Sequence, residues 1–324
     1  MKFLIIQTAF IGDVILATAV AEKLHQHYPD AQIDFVLRKG NEGLLKDHPF
    51  IKTVFVWDKK QNKVKNLFAI SRQVGANNYD TVINLHRYSS SGIIAGYSGA
   101  KQRIGFDKNP LSFLFTKKIK HEIGNNKHEV ERNQQLIESI TDAIAAKPKL
   151  YPSKENFETI KKYKDKEYVC LAPTSVWFTK QYPKEKWVEL CDRLPSSLTI
   201  YLLGAPNDSD ACDWIKNNST NRNMVNLAGK LNFLESAALM KDAKMNYVND
   251  SAPLHIASAM NVNTTAIFCS TVPSFGFGPL ADNARIVETK MQLDCRPCGL
   301  HGHKECPKGH FKCAFTIETE ELLK

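Results

Sequence analysis

What most constrains this chain is an alternation that runs through it twice. Short continuous apolar runs, at residues 3–6, 33–37, 53–57 and 81–85, alternate with segments of helical spacing at 14–24, 63–74, 91–97 and 129–146. Runs of this kind suit parallel strands buried on both faces, and helices between them make βαβ units. A lysine- and acid-rich stretch carrying Pro148 and Pro152 interrupts the pattern over 147–166 and reads as a linker plus a helix. The alternation then restarts, with strands at 168–172, 199–203, 246–248 and 265–268 and helices at 184–194, 208–217, 233–241 and 253–260. The expectation is two α/β domains, residues 1–150 and 165–324, each a doubly wound parallel sheet. Such sheets bind ligands at the carboxyl ends of their strands.

Composition narrows the class. A chain of 324 residues suits two cores better than one. A 43% hydrophobic fraction excludes a disordered chain. The net charge of +9 favours an anionic partner without naming it. No apolar stretch approaches the ~20 residues of a membrane-spanning helix. No secretory leader is expected at the first residues, because Gln7 and Gly12-Asp13 interrupt the apolar run. The expected location is therefore the cytoplasm, where the 8 cysteines stay reduced.

Three loops stand where such sheets bind ligands. The first, Thr8 to Asp13, has one glycine and lacks the Gly-x-Gly-x-x-Gly dinucleotide fingerprint. Asp13 there is either a helix N-cap or a general base. The second, 173–183, carries Thr174, Ser175, Thr179 and Lys180, hydroxyls and a point charge that suit a phosphate. The third, 249–255, carries Asp250, Ser251, Ala252 and His255. Pro253 fits a first helical turn there, and the backbone N–H groups offer an anion site.

Together these blocks resemble glycosyltransferase family 9, the ADP-heptose:lipopolysaccharide heptosyltransferases. The resemblance rests on Gly12-Asp13-Val14-Ile15-Leu16-Ala17-Thr18, the loop 173–183, and Asn249-Asp250-Ser251-Ala252-Pro253-Leu254-His255. Leu203 to Asp208, Asn226-Leu227-Ala228-Gly229, Asn84-Leu85-His86-Arg87 and His128 to Arg132 add further blocks. Thr174 and Ala252 stand where the family has glycine, and Tyr182 where it has tryptophan. The resemblance implies the GT-B fold, two Rossmann-like domains facing a cleft. It also implies inverting transfer of heptose from ADP-heptose to the lipopolysaccharide inner core, of the heptosyltransferase II kind. Asp13 would be the base and Lys180 would balance charge on the leaving diphosphate. Thr174, Ser175, Thr179, Asp208, Asp250, Ser251, Ala252 and His255 would hold the donor. His86, Arg87, Lys101, Arg103 and Arg132 would meet acceptor phosphates or carboxylates. No metal is required by that scheme, and contact with the lipid-linked acceptor implies a peripheral place at the inner membrane.

Two other readings stand beside it: a related transferase using another nucleotide sugar for a surface glycan, and a non-catalytic basic binding protein. The second rests on charge alone, and no nucleic-acid motif interleaves aromatics with the lysines. The tail holds Cys295, Cys298, Cys306 and Cys313, with His301, His303 and His310 nearby. This set is either a zinc site of loose spacing or a group of reduced thiols packed on the domain. The remaining Cys170, Cys191, Cys212 and Cys269 read as small core residues.

Overall fold

The computed structural model describes residues 1–324 and divides into two compact units, Met1–Tyr151 and Pro152–Lys324. Unit 1 holds six parallel strands: β1 (Lys2–Ile6), β2 (Gln32–Arg38), β3 (Ile51–Trp57), β4 (Thr81–Asn84), β5 (Gln102–Phe106) and β6 (Lys117–Ile119). Its helices are α1 (Ile11–His27), α2 (Lys63–Gly75), α3 (Ser89–Tyr97) and α4 (Glu129–Ile137). The sheet order is β3-β2-β1-β4-β5-β6. The chain reverses direction across the sheet between β1 and β4, which opens the loops after these two strands as a ligand crevice.

Unit 2 repeats the plan. Its strands are β7 (Tyr168–Ala172), β8 (Thr199–Leu202), β9 (Met224–Asn226), β10 (Asn246–Asn249), β11 (Thr264–Phe268) and β12 (Ala284–Glu288). Helices α5 (Lys154–Ile160), α6 (Lys184–Arg193), α7 (Ser209–Asn218), α8 (Phe233–Lys241) and α9 (Ala252–Met260) accompany them. Read from β9, the order β9-β8-β7-β10-β11-β12 is that of unit 1 again, with the switch between β7 and β10.

Burial explains why the central strands form. Phe3, Leu4, Ile5 and Ile6 of β1 and Leu171 of β7 are fully enclosed, so the apolar runs supply both faces of each sheet. The outer strands are different. β6 is Lys-Lys-Ile and β12 carries Arg285 and Glu288, charges that suit an edge. β5 carries Gly105, where a Cβ would stand 2.4 Å from the Phe115 ring, so only glycine lets Phe115 close on the strand.

One expectation needs correction. The helix expected to run to residue 146 ends at Ile137, where a short 3-10 turn follows. The Thr141 hydroxyl takes the carbonyl of Ile137 at 2.9 Å, a side-chain bond that competes with helix. Residues 142–151 then run along α1, with Lys23 on Asp142 at 2.7 Å and the Tyr151 hydroxyl donating to Glu22 at 2.8 Å. The helix expected within 147–166 is α5, which starts after Ser153. The Ser153 hydroxyl caps α5, and Ile160 of that helix is fully buried in unit 2.

Candidate active site

In unit 2 the loops after β7, β8, β10 and β11 meet at the carboxyl ends of their strands. Lys180 ends a 3-10 turn, Phe178–Lys180, and its Nζ lies 2.8 Å from Asp250 Oδ2. The same oxygen accepts from the Thr271 hydroxyl at 2.6 Å. The two side chains of the ion pair are 16% and 6% exposed, so Asp250 holds the ammonium at the switch point rather than in open water. A lysine has three donors, and this contact occupies one of them.

The next turn of chain is α9. Its N-cap Ser251 is extended and makes no side-chain cap bond, and its hydroxyl lies 3.5 Å from the Asn249 carbonyl instead. The positive end of α9 therefore stands uncapped by its own N-cap, beside Lys180's partner. His255 is buried one turn in, against the Phe277 ring at 6.4 Å. Asp208, after β8, uses Oδ2 to accept the Ala205 N–H at 2.7 Å and closes its own turn. Thr174 and Ser175 are half-buried on the same loop as Lys180. Gln181 donates to the Ser175 carbonyl at 2.7 Å and shapes that loop.

Thr179 lies elsewhere. It is buried, and its hydroxyl oxygen accepts from Ser270 at 3.0 Å and from the His303 N–H at 2.8 Å. Its side chain is engaged inside the protein.

In unit 1, Asp13 is the third residue of α1 and not its N-cap; Phe10 is. The Asp13 carboxylate accepts the Phe10 N–H at 3.0 Å, which satisfies an orphan donor of the helix start. His86 follows β4, and its Nδ1 is hydrogen-bonded to the Thr8 hydroxyl at 2.9 Å, bridging the two loops of the switch point. Burial, with the charges of Lys59 and Arg87, pushes the His86 imidazole down to about 3, so it is neutral at physiological pH. Asn109 and Ser91 hold the His86 carbonyl at 3.1 Å and 2.7 Å and fix the loop from below. Arg87 is exposed on it.

Two cations that sequence reasoning missed stand at this end of the sheet. Arg38 closes β2, its guanidinium 4.7 Å from the Phe10 ring. Burial draws it below the ordinary arginine range, and the Asp13 charge opposes this. Lys59 follows β3, and its ammonium donates to the Thr8 carbonyl at 2.6 Å. Burial and the nearby cations Arg38 and Lys63 push it down to about 8. A detectable signal was present: each lies within two residues of a strand's carboxyl end.

Two expected acceptor contacts, Lys101 and Arg103, are not brought together here, and a third, Arg132, is enclosed beside Glu129, which feels the charges of Asp13 and Arg87. Arg132 is buried, with its guanidinium on Glu129 at 2.8 Å and on the Lys127 carbonyl at 2.5 Å. Lys101 and Arg103 belong to the opposite end of the sheet. The parallel register pairs Gln102 with Thr81, and Lys101 lies 3.7 Å from Asp80, at the amino end of β4. Arg103 donates to the carbonyls of Leu114 at 2.8 Å and Ala100 at 2.5 Å. Arg103 is level with Val82, about 13 Å of extended chain from His86, and Lys101 is level with Asp80, about 20 Å away.

The tail cysteines are unbridged. No three His, Cys, Asp or Glu side chains are grouped so as to hold a metal ion. Cys313 is a core residue whose thiol burial pushes up to about 12, while Cys295, Cys298 and Cys306 are half-buried. No helix is long and apolar enough to cross a membrane.

Two Rossmann-type sheets, each with a polar cluster at its switch point, place the chain among two-unit doubly wound α/β proteins. A family model for glycosyltransferase family 9 (heptosyltransferase) matches residues 67–309. Lipopolysaccharide heptosyltransferase 1 of Campylobacter coli is 26% identical over all of this chain and 97% of its own length. A family 9 glycosyl transferase structure from Veillonella parvula superposes with a TM-score of 0.84 at 20% identity, covering 99% of this chain and 94% of that one. The Escherichia coli ADP-heptose lps heptosyltransferase II structure gives 0.77 at 20% identity, covering 92% and 96%. The chain belongs to glycosyltransferase family 9 and is a glycosyltransferase.

Proposed function

We propose that this enzyme transfers heptose from ADP-heptose to the lipopolysaccharide inner core with inversion, unit 2 holding the donor and unit 1 the acceptor. The observation that carries the reading is the Lys180–Asp250 pair beside the uncapped start of α9. A cation with two remaining donors and a helix N-terminus together suit a diphosphate. The relatives' names supply the sugar: ADP-heptose for the Escherichia coli structure and lipopolysaccharide for the Campylobacter coli enzyme.

One displacement accounts for the chemistry. An acceptor oxygen forms a bond to the anomeric carbon as the bond to the diphosphate oxygen breaks. The electron pair leaves with ADP, and Lys180 and the α9 N-terminus meet the charge that grows there. The acceptor proton passes to Asp13, so one general base suffices and no glycosyl-enzyme forms. Arg38, Lys59 and Arg87 meet anionic groups of the acceptor, and neutral His86 offers a hydrogen bond rather than a charge. The +9 net charge suits approach to an anionic, lipid-linked acceptor at a membrane face.

The test is a donor panel. ADP-heptose should be turned over far faster than UDP- or GDP-hexoses with a heptose-deficient lipopolysaccharide as acceptor. Preference for a UDP- or GDP-sugar would overturn the donor assignment and leave the phosphate site standing.

Lys59 gives the acceptor side a pH signature. With its ammonium titrating at about 8, it is a cation below that pH and neutral above it. Acceptor kcat/KM should therefore fall as pH rises, by about tenfold between pH 7 and 9. Lys59→Arg keeps its charge and should flatten that limb. A wild-type profile in Lys59→Arg would remove Lys59 from the acceptor site.

A further inference from the structure

The cysteine-rich tail touches the Phe178–Lys180 turn at three successive residues. The Phe178 ring lies 5.1 Å from the ring of Phe311. Thr179 forms a reciprocal pair with His303: its N–H donates to the His303 carbonyl at 3.1 Å, and the His303 N–H returns to Thr179 Oγ1 at 2.8 Å. Gly302 lies against the stem of Lys180. It has φ +76°, and a Cβ there would stand 2.7 Å from Thr179 Oγ1 and 3.1 Å from Lys180 Cγ. Glycine is required both for the left-handed backbone and for this approach.

The tail is itself fixed to the sheet. Arg296 donates to the carbonyls of Cys269 at 2.7 Å and Thr271 at 2.8 Å, and it pairs with Glu288. The Cys298 N–H reaches the Ser270 carbonyl at 2.8 Å. Thiols stiffen the far side: Phe311 N–H points to Cys306 Sγ at 3.4 Å, and Cys313 packs in the core. One end of the segment thus grips the loop after β11, where Thr271 holds Asp250. The other grips the turn that carries Lys180.

We propose that residues 296–303 are a positioning strap for Lys180, acting through Gly302 and Thr179. This rests on the reading of Lys180 as the group that meets the leaving diphosphate. A lysine has four rotatable side-chain bonds, and free it samples many positions. Gly302 beside its stem and Asp250 at its end fix the ammonium before the donor arrives, so the ordering is complete before the chemical step. Thr179 acts through Lys180 and not on the donor.

The experiment is a double-mutant cycle on the full chain with ADP-heptose and heptose-deficient lipopolysaccharide. Thr179→Val removes the accepting oxygen without adding bulk to the turn, and Gly302→Ala intrudes on the Lys180 stem. Each should lower kcat at saturating donor by about tenfold when Lys180 is present, and by less than about twofold in a Lys180→Met background. Thr179→Ser, which keeps the oxygen, should restore the rate. Equal losses in both backgrounds, or full activity in a folded Thr179→Val enzyme, overturn the strap. A Lys180→Met enzyme at full rate removes the underlying reading and the strap with it. Melting curves identify any variant that does not fold. If Gly302→Ala is one, the Thr179 series decides alone.

Discussion

Asp13→Asn is expected to lower kcat by about a thousandfold while ADP-sugar affinity stays within about twofold, the size of effect that loss of a general base produces. The substitution isolates the chemistry. Asp13 accepts the Phe10 N–H at the start of α1, and an asparagine oxygen can accept the same bond, so the helix start survives with a loss well under about 1 kcal/mol. What disappears is the capacity to take a proton. Arg38 stands within electrostatic reach of the carboxylate. The other acid nearby, Glu129, is a poor substitute, because it is buried and locked to Arg132. Burial raises Glu129 above the usual carboxylate range, with Asp13 adding to this and Arg132 opposing it. Transfer assays with saturating donor, alongside ADP binding by calorimetry, check the prediction. Turnover at the wild-type rate would sink the assignment of Asp13 as base.

Much of the fold was legible because the central strands are buried on both faces. Residues 3–6 and 168–172 read directly as strands for that reason. β5, β6, β9 and β12 were not legible. Three of them are sheet edges, where one side is open and charges such as Lys117 and Arg285 break the apolar run. The helix ending at Ile137 was over-extended because apolar spacing continues past it, while the Thr141 side chain that ends it is a local competitor with no periodic signature.

The site divides in the same way. Loops after β1, β7 and β10 could be found from residue type alone, and Lys180 and Asp250 meet in the structure. Lys101 and Arg103 looked equally suitable, but strand register alone fixes which end of a sheet a residue occupies. Arg38 was not picked out, and Lys59 beside Lys60 read as a solvated pair, because cations in a lysine-rich chain resemble solvated surface. Thr179 was singled out for its hydroxyl, yet its partners, Ser270 and His303, lie 91 and 124 residues away in sequence. No local pattern encodes such a contact. The tail's contacts with the Lys180 turn were hidden for that reason, since its spacing left a loose zinc site and packed thiols both open.

Lys180→Met should reduce kcat/KM by about a hundred- to a thousandfold, through both weaker donor binding and a slower step, as removal of a charge-stabilising group does. The same change has a structural cost that must be separated. Asp250 is 6% exposed and would keep only the Thr271 hydroxyl. Breaking a buried pair on one side costs about 3 kcal/mol, because the remaining charge is left uncompensated. Lowered thermal stability therefore accompanies lost activity, and the single variant cannot separate them. Adding Asp250→Asn resolves this. The amide needs no counter-ion, so the double variant should regain much of the lost stability while turnover stays low. A calorimetric melt and a transfer assay on the wild type, Lys180→Met and the double variant decide the matter. Activity that returns with stability would make the Lys180–Asp250 pair a structural bridge. Stability that returns without activity makes the ammonium the group that the departing diphosphate requires.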